Sequence, residues 1–166
     1  METLIMPVAS ETLVVRRDLA PPIQRMLYKG KEKLVQSRSP YGKTGHRVVG
    51  VVGVVLPNGK FRFHAGVNFG VKPREGLCGE DGSIYLTFDA GHLSYARAMV
   101  VIDQNGDGSP TTKVPHPCGV SLCWIAELAG ESGLGKDFPL ILSTTEFDPI
   151  VVTTLGLEFP HAFDYP

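Results

Sequence analysis

Cys78-Gly79-Glu80 starts one predicted helix, and forty residues later Pro117-Cys118-Gly119-Val120-Ser121 starts another. Each segment places a cysteine at the first turn of a helix, where the backbone dipole favours a negatively charged sulfur. Glu80 follows Cys78 by two residues, so both side chains can face one pocket. A catalytic zinc centre needs three protein ligands and a nearby carboxylate that moves protons. The two segments therefore predict a catalytic site that combines two thiols with an acid–base carboxylate.

The flanking sequence predicts alternating helices and strands. Pro22 to about Leu34 predicts the first helix, because proline suits the first turn of a helix. The β-branched run from 47 to 56 fits a strand covered on both faces, and the turn at 57–60 leads into the returning strand at 61–69. Two more helices, one from about Cys78 to Gly91 and one from Cys118 to Gly130, alternate with later strands at 99–102, 140–142 and 150–152. The order predicts an α/β fold, a three-layer α-β-α arrangement around a five-stranded mixed sheet.

Length and composition limit the class of protein. The 166 residues suit one domain, 1–166, in which residues 1–20 form an N-terminal extension. A formal net charge of −1 provides no basic surface for nucleic acid, so a nucleic-acid partner is not expected. The sequence contains no run of 18 apolar residues, so no membrane span is predicted. Three cysteines without a secretory leader at the N-terminus predict a reducing, cytoplasmic compartment.

The two segments resemble those of the small cytidine deaminases, whose pattern is Cys-Ala-Glu followed by Pro-Cys-Gly-x-Cys. Four further segments are similar to that family and occur in the same order along the chain: Pro40-Tyr41-Gly42-Lys43, Gly66-Val67-Asn68, Trp124–Leu128 and Leu157–Phe163. The resemblance runs from about residue 22 to the C-terminus. It implies the cytidine deaminase fold, a zinc ion, a small-molecule substrate and a homo-oligomer, either a tetramer or a dimer.

The resemblance also implies roles for individual residues. Cys78 and Cys118 match zinc ligands, and Glu80 matches the glutamate that carries protons between the metal-bound water and the leaving amine. The residues implied at the substrate side of the pocket are Asn68, Gly79, Pro117 and Phe163.

Two departures from the family pattern bear on the metal and on the substrate. Ser121 stands where the family has its last zinc cysteine, and a neutral hydroxyl is a poor zinc ligand beside thiolate or imidazole. His116 and Cys123 are candidate substitutes, although Cys123 lies about 200° further round the helix than Ser121. Gly70 stands where nucleoside deaminases carry the glutamate that binds ribose. Free cytidine is therefore not the expected substrate.

These residues leave several interpretations open. The first is an enzyme that attacks an amino- or imino-bearing carbon of a small cyclic or guanidine-like molecule. It could use water bound to zinc, with Cys78 and Cys118 as ligands and Ser121, His116 or a water completing the set. Without a metal, it could use Cys78 or Cys118 as the nucleophile, with Glu80 as acid–base. The alternative is a binding or scaffold protein that keeps the fold without the chemistry. His64, His92 and His161 show no pattern of partners and are interpreted as surface or loop residues.

Overall fold

The computed structural model describes residues 9–37, 46–72 and 75–160, without the side chains of residues 69–72, 75 and 76. Pro40-Tyr41-Gly42-Lys43, His161 and Phe163 lie outside these ranges. The elements in chain order are β1 (Thr12–Val14), α1 (Pro21–Gln36), β2 (His46–Val55), β3 (Phe61–Val67), β4 (Phe69–Lys72), β5 (Glu75–Leu77), α2 (Gly79–Asp89), β6 (Ala96–Asn105), α3 (Gly119–Glu131), β7 (Pro139–Thr144), β8 (Ile150–Thr154) and α4 (Leu155–Glu158). The predicted hairpin and the three predicted helices are confirmed within a few residues.

The main sheet has the strand order β1-β8-β7-β6-β2-β3 and is mixed. Strands β6 and β7 are parallel, and the other neighbouring strands are antiparallel. The α/β class is confirmed, but the predicted count of five strands is wrong, because there are six in this sheet. The additional strand is β1, whose Leu13 lies opposite Val151 of β8. Three residues are too few to show a strand period, and β1 forms by hydrogen bonding to the exposed edge of β8.

Helices cover both faces of the sheet and divide the core in two. On one face, Ile23, Met26 and Leu27 of α1 pack with Val49 and Val51 of β2. On the other face, Ile125 and Leu128 of α3 pack with Val52, Val54 and Leu140. The β-branched run of β2 is apolar throughout because alternate side chains enter the two cores. This arrangement places the N-termini of α2 and α3 beside each other on one face.

The sequence predicts no membrane-spanning segment. Across the described ranges, none of the helices combines the length and the apolar character that a membrane crossing requires.

Candidate active site

Cys78 and Cys118 are the N-cap residues of α2 and α3. Both have extended backbone angles, with ψ of 161° at Cys78 and 164° at Cys118, as N-cap residues do. The two helix starts converge, and the Sγ atoms of the two cysteines lie 3.8 Å apart. Neither sulfur forms a disulfide. The structure thus brings together two thiols that are forty residues apart in sequence.

Three glycines allow α2 to lie directly on strands β2 and β3. A Cβ atom at Gly66 would lie 2.3 Å from the backbone nitrogen of Ser83. A Cβ at Gly50 would lie 2.6 Å from the Cα of Glu80, and one at Gly79 would lie 2.4 Å from the carbonyl oxygen of Val48. These separations are too short for any side chain, so the first turn of α2 approaches the sheet backbone-to-backbone. The approach buries the residues of that turn, including Glu80.

Glu80 is a buried carboxylate with an unpartnered oxygen. Its residue is 4% exposed, and Oε2 has no hydrogen-bond partner. Burial, together with the negative charge of Asp81, raises the pKa of Glu80 to about 7. A carboxyl group with such a pKa can give up and take back a proton at neutral pH, which general acid–base catalysis requires.

Ser121 is fully buried, and its Oγ lies 3.5 Å from the sulfur of Cys118. Burial raises the pKa of the Cys118 thiol. Hydrogen bonds from the Ser121 hydroxyl, the start of α3 and the neighbouring thiol outweigh burial, so the net shift of that pKa is downward. For Cys78, burial and the charges of Glu80 and Cys118 prevail over the Ser121 hydrogen bond and raise the pKa to about 11. The pair therefore combines one thiol whose pKa is lowered with one whose pKa is raised.

The donor set does not fit a three-ligand zinc centre. In the described ranges, the two cysteine sulfurs have no third His, Cys, Asp or Glu ligand atom close enough to complete such a set. The third side chain at the pair is the Ser121 hydroxyl, which is a weak zinc ligand. His116, a predicted substitute, instead contacts Glu158, with 2.9 Å between Nδ1 and Oε2. Cys123, the other substitute, lines a groove between α2 and α3.

The predicted substrate-binding residues have different surroundings. Both ends of the Asn68 amide contact the backbone of β2, since Oδ1 accepts from the Val48 N–H at 3.0 Å and Nδ2 donates to the His46 carbonyl at 2.9 Å. Gly79 is buried against Val48, and Pro117 is buried immediately before Cys118. Asn68 and Gly79 thus have structural contacts that would account for these residue types without a ligand.

Sequence reasoning missed a pair of histidines. His64 Nε2 and His92 Nδ1 lie 3.0 Å apart, and His64 is half-buried. Burial, with a smaller contribution from His92, lowers the pKa of His64. The interpretation as a surface or loop residue is wrong for His64, which is half-buried in β3, whereas His92 lies in the loop after α2 as interpreted. The one available signal was the position of His64 within a predicted strand, because its partner, His92, follows a helix that only the tertiary fold places alongside.

A groove of about 540 Å³ separates the exposed sides of α2 and α3. It is lined mainly by apolar side chains, and Tyr85 packs against Trp124 with their ring centroids 5.6 Å apart. Tyr85 and Phe88 are 46% and 67% exposed, which is unusual for aromatic residues on a helix over a core. The groove lies on the outer side of α2 and α3, whereas the thiol pair lies at their N-termini.

Solved structures of cytidine deaminases are similar to this chain. The enzyme from Burkholderia pseudomallei has 20% sequence identity and a TM-score of 0.63, and the alignment covers 84% of this chain and 97% of that one. The enzyme from Mycobacterium leprae has 21% identity and a TM-score of 0.53, covering 83% and 97%. The enzyme from Mycobacterium tuberculosis has 19% identity and a TM-score of 0.52, covering 85% and 96%. No protein-family model matches the chain, and no curated protein matches it either.

The class of fold follows from these similarities. The mixed sheet with helices on both faces, aligned over 84% of this chain with the Burkholderia pseudomallei enzyme, is the cytidine deaminase-like fold. The chain has that fold, as the sequence predicted. Identities near 20% define the architecture alone, because one fold supports many different activities.

Proposed function

We propose that this chain is a deaminase-fold hydrolase of C–N bonds, in which Cys118 is the nucleophile and Glu80 is the general acid–base. One observation carries the proposal: an unpartnered buried carboxylate, Glu80, follows Cys78 by two residues in the first turn of α2, and Cys78 forms a pair with Cys118 where two helix starts converge. A buried carboxylate without a partner destabilises a fold, so a purely structural pocket gains nothing from it. Proton transfer at a reacting carbon is a function that uses such a group.

Cys118 is proposed as the nucleophile instead of Cys78 because of its greater exposure and its contact with the Ser121 hydroxyl. Cys118 is more exposed than Cys78, as an attacking sulfur must be. The Ser121 hydroxyl also lies 3.5 Å from its sulfur and donates a hydrogen bond to the proposed thiolate. In this proposal Ser121 stabilises a thiolate in the place where a third metal ligand would otherwise stand. Cys78 remains a neutral thiol that donates to the Cys118 sulfur.

The proposed reaction proceeds in two steps, formation of a covalent C–S intermediate and its hydrolysis. In the first, the Cys118 thiolate attacks the amino-bearing carbon and forms a C–S bond. Protonated Glu80 then gives its proton to the leaving nitrogen, and the C–N bond breaks with release of ammonia. In the second, water attacks the same carbon, its proton passes to the Glu80 carboxylate, and the C–S bond breaks. The thiolate and the protonated Glu80 are restored, and the net reaction replaces an amino group with oxygen from water.

The proposed substrate is a small cyclic or guanidine-like molecule. Such molecules carry an amino or imino group on an electron-poor carbon, which is what a thiolate attacks. Gly70 offers no side chain for the sugar of a nucleoside, so free cytidine is not proposed. A homo-oligomer, implied by the resemblance, stays a prediction, and the exposed aromatic side chains along the α2–α3 groove are surface that self-association could cover.

The test combines a substrate panel with variants. Aminopyrimidines, amidines and guanidines are incubated with the purified chain, and ammonia release is measured with and without a chelator. We expect turnover of at least one compound that the chelator leaves unchanged. Glu80→Gln should reduce the rate by about 10²–10⁴ because it removes the proton carrier. Cys118→Ser should reduce it at least as far, whereas Glu131→Gln, an exposed carboxylate variant on α3, should match the parent.

Alkylation tests the nucleophile without a known substrate. Iodoacetamide followed by mass mapping should label Cys118 faster than Cys78, with exposed Cys123 as the internal reference. Labelling of Cys118 no faster than Cys123, with no ammonia from the panel, would refute the enzyme and leave the scaffold interpretation. Turnover that chelator abolishes and zinc restores would instead favour the metal-bound version.

A further inference from the structure

A second cluster of ligand-type side chains lies beside the candidate active site. It consists of Glu11, His116 and Glu158, one ligand atom of each lying within 4.8 Å of the other two. Glu11 directly precedes β1, His116 lies two residues before Cys118, and Glu158 ends α4. Three segments that are distant in sequence therefore meet at one point of the fold.

Within this cluster, Glu158 has a carboxylate oxygen that lacks a hydrogen-bond partner in the described part of the chain. Its side chain is 7% exposed, and Oε2 lies 2.9 Å from Nδ1 of His116. The other oxygen, Oε1, is buried with no hydrogen-bond partner among the described residues. A buried carboxylate oxygen without a partner is costly, since ionised groups lose most when removed from water. The cluster contains two carboxylate side chains, whose negative charge a bound cation would offset.

A divalent cation would satisfy this arrangement. Imidazole nitrogen suits Zn²⁺ and related transition metals, whereas Ca²⁺ and Mg²⁺ prefer sites made entirely of oxygen. One imidazole and two carboxylates supply three ligands, which leaves a fourth tetrahedral position for water. Ligand atoms on one zinc ion lie within about 3.6 Å of one another at bond lengths of about 2.0–2.2 Å. Exposed Glu11 can close the remaining gap by rotating its side chain.

We infer that Glu11, His116 and Glu158 form a site for a divalent transition-metal ion, separate from the thiol pair. The ion would join the edge strand β1, the end of α4 and the segment that leads into Cys118. Its role is to position this segment, because His116 is fixed only two residues from the nucleophile of the proposed function. The metal site rests on this cluster alone, whereas the positioning role rests on the proposed function.

Cobalt titration of the whole chain tests the site with a readout besides activity. Co²⁺ held by oxygen and nitrogen gives visible absorption bands without the near-ultraviolet charge-transfer band that thiolate ligands produce. We expect one equivalent of Co²⁺ to bind the parent and Cys118→Ser alike, without the charge-transfer band. Zn²⁺ should displace it, whereas Ca²⁺ should not. Removing a ligand in Glu158→Gln or His116→Ala should weaken binding tenfold or more.

Two further variants keep the test decisive if a buried variant fails to fold. Glu11→Gln alters an exposed side chain and should weaken Co²⁺ binding while thermal unfolding without metal stays unchanged. Glu131→Gln should bind Co²⁺ like the parent. Absence of Co²⁺ binding, or binding that Glu11→Gln and Glu158→Gln leave unchanged, would overturn the site and leave the thiol proposal standing. A thiolate charge-transfer band that disappears in Cys118→Ser would place the metal on the cysteines and overturn both.

Discussion

Helices α1 and α2 lie on opposite faces of the same sheet and are built in opposite ways. Helix α1 buries apolar side chains and exposes charged ones, with Ile23, Met26, Leu27 and Leu34 in the core. Helix α2 does the reverse at most positions. Its buried residues include four polar or charged ones, Glu80, Asp81, Ser83 and Thr87, while Tyr85, Leu86 and Phe88 are exposed.

The difference between the two helices indicates that α1 mainly stabilises the fold, whereas α2 provides groups for chemistry. The α1 face follows the ordinary pattern in which burial of apolar surface stabilises the fold. The α2 face breaks that pattern where Glu80 meets Cys78, and local rules of this kind are broken most often at functional sites. The close approach of α2 to the sheet maintains the arrangement, because it excludes water from Glu80. Substitutions on the two faces should therefore have different consequences.

The largest expected effect on stability lies on the α1 face. Leu27 is fully buried, and Leu27→Ala should lower the free energy of unfolding by about 2–5 kcal/mol through lost burial and a cavity. Val35→Ala on the same helix, at a side chain 69% exposed, should change it by less than about 0.5 kcal/mol. Urea unfolding followed by circular dichroism measures both. Equal effects of the two substitutions would remove the contrast between the faces.

On the α2 face, Glu80→Gln should stabilise the protein at neutral and alkaline pH. The raised pKa means that the folded state binds more protons than the unfolded state between about pH 4.5 and 7. Stability of the parent should therefore fall as the pH rises through this window. A shift from 4.5 to about 7 corresponds to roughly 3 kcal/mol. Glutamine does not titrate, so its advantage should be near zero below pH 4 and largest above pH 7.

Unfolding measured from pH 4 to 8 on both proteins checks this prediction. A Gln variant less stable than the parent at pH 8 would show that the Glu80 carboxylate is satisfied in the folded protein. In that case the comparison between α1 and α2 would lose its basis.

The smallest expected effect concerns Gly79, where the resembling family carries alanine. The added Cβ would meet the Val48 carbonyl oxygen at 2.4 Å, and backbone cannot move aside as a flexible side chain can. Gly79→Ala should therefore destabilise by about 1–3 kcal/mol. Gly130→Ala in α3, where a Cβ meets nothing within 4 Å, should be neutral or gain up to about 1 kcal/mol. Thermal unfolding compares the two, and an unchanged melting temperature in Gly79→Ala would favour a role in substrate contact.

The sequence alone predicted most of the fold because its signals are local. The β-branched run of β2, the turn after it and the proline at the start of α1 each act over a few residues, and all three elements formed as predicted. The helix starts predicted at Cys78 and Cys118 are also confirmed. Strand β1 was missed because its three residues acquire strand geometry only from the edge of β8.

The chemistry of this protein is divided in the same way. The sequence determined which reactive groups exist at the helix starts, namely two thiols and a carboxylate. It could do so because the signals for a helix start lie in adjacent residues. Tertiary structure alone decided that the sulfurs lie 3.8 Å apart, that the Ser121 hydroxyl lies 3.5 Å from the Cys118 sulfur, and that His116 contacts Glu158. Distances and burial arise from contacts between segments far apart in the chain. Burial raises the pKa of Glu80 and of Cys78, and hydrogen bonds lower that of Cys118.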